Sequence, residues 1–271
     1  MLKDITIGQH FPGNSPVHNL DARLKIVITV LFVVVMFMST NFPGLILSAV
    51  FVLTMYKLSG IPLKMLKKSI KPLLPLIFFT VVLNLFFITG EVPLIKIGAL
   101  EIYMEAVIFC IVMISRILLL ICGTSLLTYT TSTIALTDGL EALMKPLNKI
   151  NFPVHEMAMM MTIALRFIPT LIEETEKIMN AQKSRGALLD SGTFMDRIKA
   201  LVPILVPLFI SAFRRAEELA TAMECRCYHG GEGRTRLRQL KITKDDIRYT
   251  VVCMVFFAVI LSMKIFFKRV I

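Results

Sequence analysis

The stretch AVIFCIVMISRILLLICGTSLLT, residues 106–128, decides the fold. A helix needs about 20 residues to cross the hydrocarbon of a bilayer, and this run has that length with one charge in it, Arg116. Its apolar residues do not alternate with polar ones, which argues against a barrel strand. Backbone amides in lipid must be satisfied within their own segment, and a helix does that. Working outward, apolar runs of the same kind occupy 24–40, 45–58, 72–88 and 249–267. The whole chain of 271 residues is 56% hydrophobic, above the proportion usual in soluble domains. The sequence predicts an all-α, polytopic membrane protein with about five transmembrane helices and one cytoplasmic, amphipathic helical region.

Charge sets the expected orientation. The net charge of +11 could suggest nucleic acid, but lysine and arginine collecting in cytoplasmic loops accounts for it more simply. Residues 57–71 carry Lys57, Lys64, Lys67, Lys68 and Lys71 and no acid, so this loop is expected inside. Residues 89–105 carry Glu91, Glu101 and Glu105 against one lysine, which suits the outside. The N-terminus is then cytoplasmic and the C-terminus external. Lys264, Lys268 and Arg269 run against that orientation and are outweighed by the lysine-rich loop. Residues 1–20 are polar and turn-rich, with Pro12, Gly13 and Pro16. They lack the short apolar core of a cleavable signal peptide, so the first run reads as a retained helix. Asp21 is placed to cap it, with Arg23 and Lys25 at its membrane edge. Asn41-Phe42-Pro43-Gly44 reads as a tight turn before the second span.

The character changes after residue 129. Residues 130–248 mix acids and bases in near-equal numbers, a composition that belongs in water. The chain therefore divides into 1–129, the N-terminal segment with four spans; 130–248, cytoplasmic helices; and 249–271, a last span. The cytoplasmic stretch resolves into three helices. A short one is capped by Thr133 and ends between Pro146 and Pro153. A second runs from about Val154 to Arg185, with Ala164, Ile168, Leu171, Thr175, Ile178 and Gln182 on one face. A third runs from about Met195 to Arg226, with Leu205, Phe209, Ala212, Ala216, Leu219 and Met223 in line. Pro203 and Pro207 within it are expected to kink it.

Each long helix ends on an arginine between small residues: Ser184-Arg185-Gly186 and Cys225-Arg226-Cys227. Two readings fit. A cation beside the last carbonyls, followed by glycine, is a helix C-cap. Two such tips finishing the apolar faces of paired helices also suit docking, because a planar guanidinium meets carboxylates bidentately. Ala212, Ala216 and Ala220 recur every four residues, which permits a close helix crossing or reflects the helix preference of alanine. Met157, Met159, Met160 and Met161 cluster at the start of the second helix. They read either as membrane-facing packing or as an adaptable surface for varied partners. Arg116 is expected to face protein or water, with Asn84 or a backbone carbonyl as partner; a substrate-binding role is the alternative.

Catalysis finds little support. No phosphate-binding Gly-x-x-x-x-Gly-Lys-Ser/Thr loop is present, so the chain is not expected to hydrolyse ATP. Cys225, Cys227 and His229 match no common zinc spacing. His10 and His18 lie in no acid–base constellation. Cys110, Cys122 and Cys253 sit in apolar runs as small hydrophobes, and no disulfide framework is implied. No cofactor or metal is expected on this chain.

Pro12-Gly13-Asn14-Ser15-Pro16-Val17-His18-Asn19-Leu20-Asp21-Ala22-Arg23 opens the chain; Arg166-Phe167-Ile168-Pro169 precedes Ser184-Arg185-Gly186; and Arg214-Arg215-Ala216-Glu217-Glu218-Leu219-Ala220 precedes Ala222-Met223-Glu224-Cys225-Arg226-Cys227-Tyr228. This combination resembles the transmembrane T component (EcfT) of energy-coupling factor (ECF) transporters along nearly the whole chain. Cys227 stands where that family more often has glycine, which bears on the local backbone turn. The resemblance implies two ABC-type ATPases, EcfA and EcfA′, which bind ATP and Mg and take Arg185 and Arg226 in grooves. It also implies a separate membrane S component that binds a vitamin or other micronutrient and topples to release it. Met157, Met160 and Met161 are then candidates for the S-component surface. The chain itself would be a non-catalytic subunit in a prokaryotic plasma membrane, with lipid and no nucleic acid as surroundings. A stand-alone permease or channel, and a membrane scaffold for cytoplasmic proteins, are the alternatives.

Overall fold

The computed structural model describes residues 10–39, 41–89, 93–97, 100–150, 152–187, 193–231 and 240–266. Lys268 and Arg269, which bear on orientation, lie outside them. The chain separates into two compact units, Gly8–Leu140 with Leu240–Ile271, and Glu141–Gln239.

The first unit begins with a single turn, α1 (Pro16–Asn19), followed by α2 (Ala22–Met38) and α3 (Phe42–Ser59). Asp21 caps α2 as expected, its carboxylate accepting the Arg23 amide at 2.9 Å. The Arg23 guanidinium also donates to both Asp21 oxygens, at 3.1 and 2.8 Å. That donation holds the Asp21 carboxyl below its ordinary range. His18 donates or accepts at both ring nitrogens, to the Phe11 carbonyl at 2.9 Å and the Ser15 hydroxyl at 2.7 Å. Burial lowers its pKa, which favours a neutral ring. A neutral ring with its Nε2 proton on the Phe11 carbonyl accepts from Ser15 at Nδ1, so His18 is a staple of the turn and not an acid–base group.

The expected turn at 41–44 belongs to the helix. Asn41 is the N-cap of α3, and Pro43 sits in the first turn, where its missing N–H costs no intrahelical bond. The lysine-rich segment 57–71 is also more ordered than a loop. After Gly60, left-handed at φ 70°, α4 (Leu63–Ile70) and a short 3-10 turn lead directly into α5 (Leu74–Phe87). Lys64, Lys67, Lys68 and Lys71 are exposed while Met65, Leu66 and Ile70 are half-buried. The lysines therefore form one face of an amphipathic helix, spaced by three and four. Among the described residues, four helical stretches are long and apolar enough to cross a membrane: Phe42–Ser59, Lys64–Phe87, Met104–Thr130 and Lys244–Lys264. Helix α2, with 17 residues, is at the short limit for a span. Little of α5 is covered by protein, and Phe78, Phe79 and Phe87 point outward, as lipid-facing residues do.

Between α5 and α6 (Met104–Thr130) lies an element not foreseen in an all-helical chain. Strands β1 (Pro93–Ile97) and β2 (Leu100–Tyr103) pair antiparallel, Ile95 opposite Ile102 and Ile97 opposite Leu100. Among the described residues the remaining elements are helical. The core of this unit gathers Phe32, Val35, Met36, Tyr56, Val112 and Phe257 from α2, α3, α6 and α10 (Lys244–Phe266). The buried Tyr56 hydroxyl donates to the Cys122 carbonyl at 3.0 Å. At Gly123 a Cβ would lie 2.2 Å from the Phe32 ring, so only glycine lets α2 and α6 pack there. Arg116, in the middle of α6, donates to the Ser39 carbonyl at the end of α2 at 2.8 Å. Asn84, the other candidate partner, donates instead to the Thr80 carbonyl in its own helix at 2.8 Å. A helix's last carbonyls lack intrahelical partners, and Arg116 supplies one across the bundle.

Helix α10 starts at Lys244, five residues before the expected span. Thr243 and Asp246 form a reciprocal capping box. The Asp246 carboxylate accepts the Thr243 amide at 2.7 Å, and the Thr243 hydroxyl accepts the Asp246 amide at 3.3 Å. The other Asp246 oxygen accepts the Asp21 amide at 3.1 Å, so one carboxylate joins the starts of α2 and α10. Helix α7 (Thr133–Met144) follows α6. Ser132, not Thr133, caps it, its hydroxyl accepting the Ala135 amide at 3.3 Å.

The second unit is dominated by α8 (Val154–Ser184) and α9 (Phe194–Glu224), packed against each other. The Arg215 guanidinium donates to Glu174 at 3.2 Å and the Gln182 amide to the Pro203 carbonyl at 3.3 Å. As one partner number rises the other falls, so the helices are antiparallel. The Gln182 bond has a local cause. In an α-helix the carbonyl of residue 203 would accept from residue 207, but Pro207 has no N–H. The freed carbonyl is taken by Gln182 of α8. Helix α9 continues through both Pro203 and Pro207, and α8 through Pro169.

Candidate functional site: two arginine-tipped helix ends

Both arginines occupy the same backbone position in the same motif. At the end of α8, the Gly186 amide donates to the Lys183 carbonyl and the Ala187 amide to the Gln182 carbonyl, each at 3.0 Å. Gly186 is left-handed, with φ 86°. At the end of α9, the Cys227 amide donates to the Glu224 carbonyl at 2.8 Å and the Tyr228 amide to the Met223 carbonyl at 3.1 Å. Cys227 is left-handed, with φ 56°. This pair of bonds, around a left-handed residue just past the helix, is the Schellman motif. Arg185 and Arg226 each sit immediately before the left-handed residue.

The helix ends have the backbone of the C-cap reading. The ends are closed by backbone bonds, which need no guanidinium. Both arginines are exposed, and among the described residues neither has a hydrogen-bond or ion-pair partner. Their positive charge complements the negative end of the helix dipole, while the five donors of each fork point to no described acceptor.

Cys227 keeps the turn that glycine makes at the other end. Among the described residues it is the one non-glycine residue with positive φ, a conformation that costs a residue with a Cβ about 1–2 kcal/mol. Cys227→Gly should stabilise the cap by roughly 1 kcal/mol, read as slower amide hydrogen exchange at Tyr228. Cys227→Val should fray it. Equal exchange in all three proteins would show that this strain is absent.

Because α8 and α9 are antiparallel, the two arginines lie at opposite ends of the pair. Arg185 is three residues past Gln182, which bonds at Pro203; Arg226 lies 23 residues beyond Pro203. The helices are antiparallel, so these offsets add, and at 1.5 Å per residue the tips are roughly 40 Å apart. His155, at the start of α8, packs against Gly231 beyond the end of α9, where a Cβ would lie 2.5 Å from its ring. Its Nδ1 is 3.2 Å from the Glu141 carboxylate. Met157, Met160 and Met161 follow on the next turn of α8, hence at the Arg226 end. Met160 and Met161 are exposed and Met157 is half-buried.

The line of α9 facing α8 differs from the expected one. Buried Ile204 and half-buried Leu208, Ser211, Arg215 and Leu219 follow a three-and-four spacing; the first four each precede an expected position by one residue, and Leu219 belongs to both lines. Ala212 is half-buried beside that line, whereas Ala216 and Ala220 are exposed. Leu205 and Phe209 turn outward with Val202, Val206, Ile210 and Phe213, the last 72% exposed. Sequence reasoning missed this outward apolar flank. Its signal was present: residues 200–210 contain no charged residue at all, so period alone could not select one face. Among the described residues no group of histidine, cysteine and carboxylate side chains could hold a metal ion.

The profile of the CbiQ cobalt transport protein family matches residues 13–237. The energy-coupling factor transporter transmembrane protein EcfT of Thermosediminibacter oceani is 54% identical, covering 91% of this chain and 92% of its own. The proteins of the same name from Ruminiclostridium cellulolyticum and Bacillus subtilis are 49% and 44% identical, covering 98% and 99% of this chain and all of their own. Helices spanning a bilayer and a match over nearly the full length agree: this chain belongs to the CbiQ family, among the transmembrane components of energy-coupling factor transporters.

Proposed function

We propose that this chain is the force-transmitting subunit of a micronutrient importer. It grips two ABC-type ATPase subunits, EcfA and EcfA′, and moves a substrate-binding S component. The observation that carries this reading is the repeated arginine tip: one backbone motif, used twice, at opposite ends of a helix pair, with both guanidinium groups exposed. Two separated grips suit two motor subunits, whose relative motion would then change the geometry of α8 and α9. ATP and Mg belong to the ATPases, and this chain contributes no catalytic group. The outward apolar flank of α9 and the exposed methionines of α8 supply surfaces for a membrane-embedded partner, and methionine repacks against varied shapes. Lysines on α4 and the two arginine tips face the cytoplasm in this reading, with the N-terminus on the same side of the plasma membrane.

Reconstitution tests it. Vesicles holding the whole complex should accumulate vitamin with ATP, and vesicles holding this chain alone should carry no solute. The isolated S component should bind its vitamin equally well with or without this chain. Flux through this chain alone, or tight binding of the vitamin to it, would replace the importer subunit with a permease.

A further inference from the structure

The two docking ends share a backbone and differ in one charge. Aligned on the Schellman bonds, Ala181 matches Ala222, Lys183 matches Glu224, Ser184 matches Cys225 and Arg185 matches Arg226. The Lys183 carbonyl accepts the Gly186 amide as the Glu224 carbonyl accepts the Cys227 amide. In each last turn this residue is the only charge besides the arginine, and both are exposed. One end therefore presents two positive charges, the other a positive and a negative charge at the same relative position. The residue after the left-handed one also differs, Ala187 against Tyr228.

Helix stability does not explain Glu224. An acid in the last turn meets the negative end of the macrodipole, where a cation is favoured and an anion is not. Lys183 is on the favourable side of that rule and Glu224 on the unfavourable side. A residue placed against the local field, next to an exposed arginine, fits selection by a partner surface. Like-charge contact across an interface rejects wrong partners, and specific interfaces combine it with attraction to the right one.

We infer that the two ends are not interchangeable: the charge two residues before each arginine assigns a different ATPase subunit to each. This rests on the docking reading above. The α8 end fits a groove with acidic side chains for both Lys183 and Arg185. The α9 end fits a groove with an acid for Arg226 and a basic or amide donor for Glu224.

Site-specific crosslinking in the intact complex tests it. A photo-reactive amino acid is placed at Ala187 or at Tyr228, and the captured ATPase is identified by mass. Each end should capture a different subunit with roughly tenfold or greater preference. The exchange variant Lys183→Glu with Glu224→Lys should reverse the preference. The neutral pair Lys183→Gln with Glu224→Gln should bring capture at both ends towards equality, and it decides the matter if the exchange variant does not assemble. Equal capture of one subunit at both ends of the unaltered protein would overturn the inference and leave docking intact. A preference unchanged in the neutral pair would do the same. Capture of no ATPase at either end would overturn the docking reading itself.

Discussion

If the two tips grip the ATPases as proposed, reversing both, Arg185→Glu with Arg226→Glu, should leave the chain inserted in the membrane and remove the ATPases from the purified complex. The first half follows from the caps. Each helix end is closed by backbone bonds, and the guanidinium groups bond to nothing described, so their reversal costs only dipole contributions, about 0.3–1 kcal/mol for each cation lost and a similar amount for each anion gained. The second half follows from interface electrostatics. Taking one partner from a hydrogen-bonded, desolvated charge pair costs about 2–5 kcal/mol, and reversal adds repulsion from the acid left behind. Two ends together lose at least about 4 kcal/mol, close to a thousandfold in affinity. The tips are far enough apart that their effects should add. A single reversal should then leave one ATPase bound through the untouched end, with the second retained only through its contacts with the first. Co-purification at fixed salt measures all three variants. Undiminished recovery of both ATPases from the double variant would show that the grip lies elsewhere.

The parts of this architecture legible in the sequence are those with a local cause. Helices α8 and α9 end within two residues of the expected positions because Gly186 stops one, and the three-and-four repeat carries the other to Arg226. Asp21 caps α2 as expected, because an aspartate before an apolar run has one obvious hydrogen bond to make. The segment 57–71 was harder. Counting its lysines gives a sign for the loop, but their spacing at 64, 67, 68 and 71 gives the helix, and the two signals are read by different rules. The hairpin carried a short alternation at Ile95, Lys96 and Ile97, brief enough to be lost between two spans. The face of α9 was legible only in its second half, where Leu219 and Met223 are half-buried as expected. Apolar residues surround its first half, and the choice among them is made by contacts far away in sequence, Arg215 with Glu174 and Gln182 with Pro203. For Arg116 a backbone carbonyl was one of the two expected partners, but which carbonyl it meets leaves no mark on residue identity.

Asp246→Ala should destabilise the membrane unit by about 3 kcal/mol, the largest loss expected from one substitution outside the apolar core. Asp246 is only 4% exposed, and its two oxygens do separate jobs. One closes the capping box of α10, worth about 1 kcal/mol. The other accepts the Asp21 amide, which alanine would leave buried without that acceptor at about 1–3 kcal/mol. The neighbouring Lys25 is 7% exposed, and its ammonium donates to the His18 and Thr130 carbonyls, each at 2.9 Å. Asp246 and Asp21 are the acids near this buried ammonium, so removing Asp246 also leaves it less compensated. Asp246→Asn separates these contributions. Its carbonyl oxygen can serve one amide, but its NH₂ cannot accept from the other, so the loss should fall between those of Asp246→Ala and the unaltered chain. Thr243→Ala removes only the hydroxyl side of the box and should cost less, about 1 kcal/mol. Thermal unfolding in detergent ranks the three. If alanine and asparagine at 246 unfold together with the unaltered chain, the starts of α2 and α10 are not joined through this carboxylate. The membrane unit would then rest on its apolar core and on its remaining polar ties, such as Arg116 with the Ser39 carbonyl.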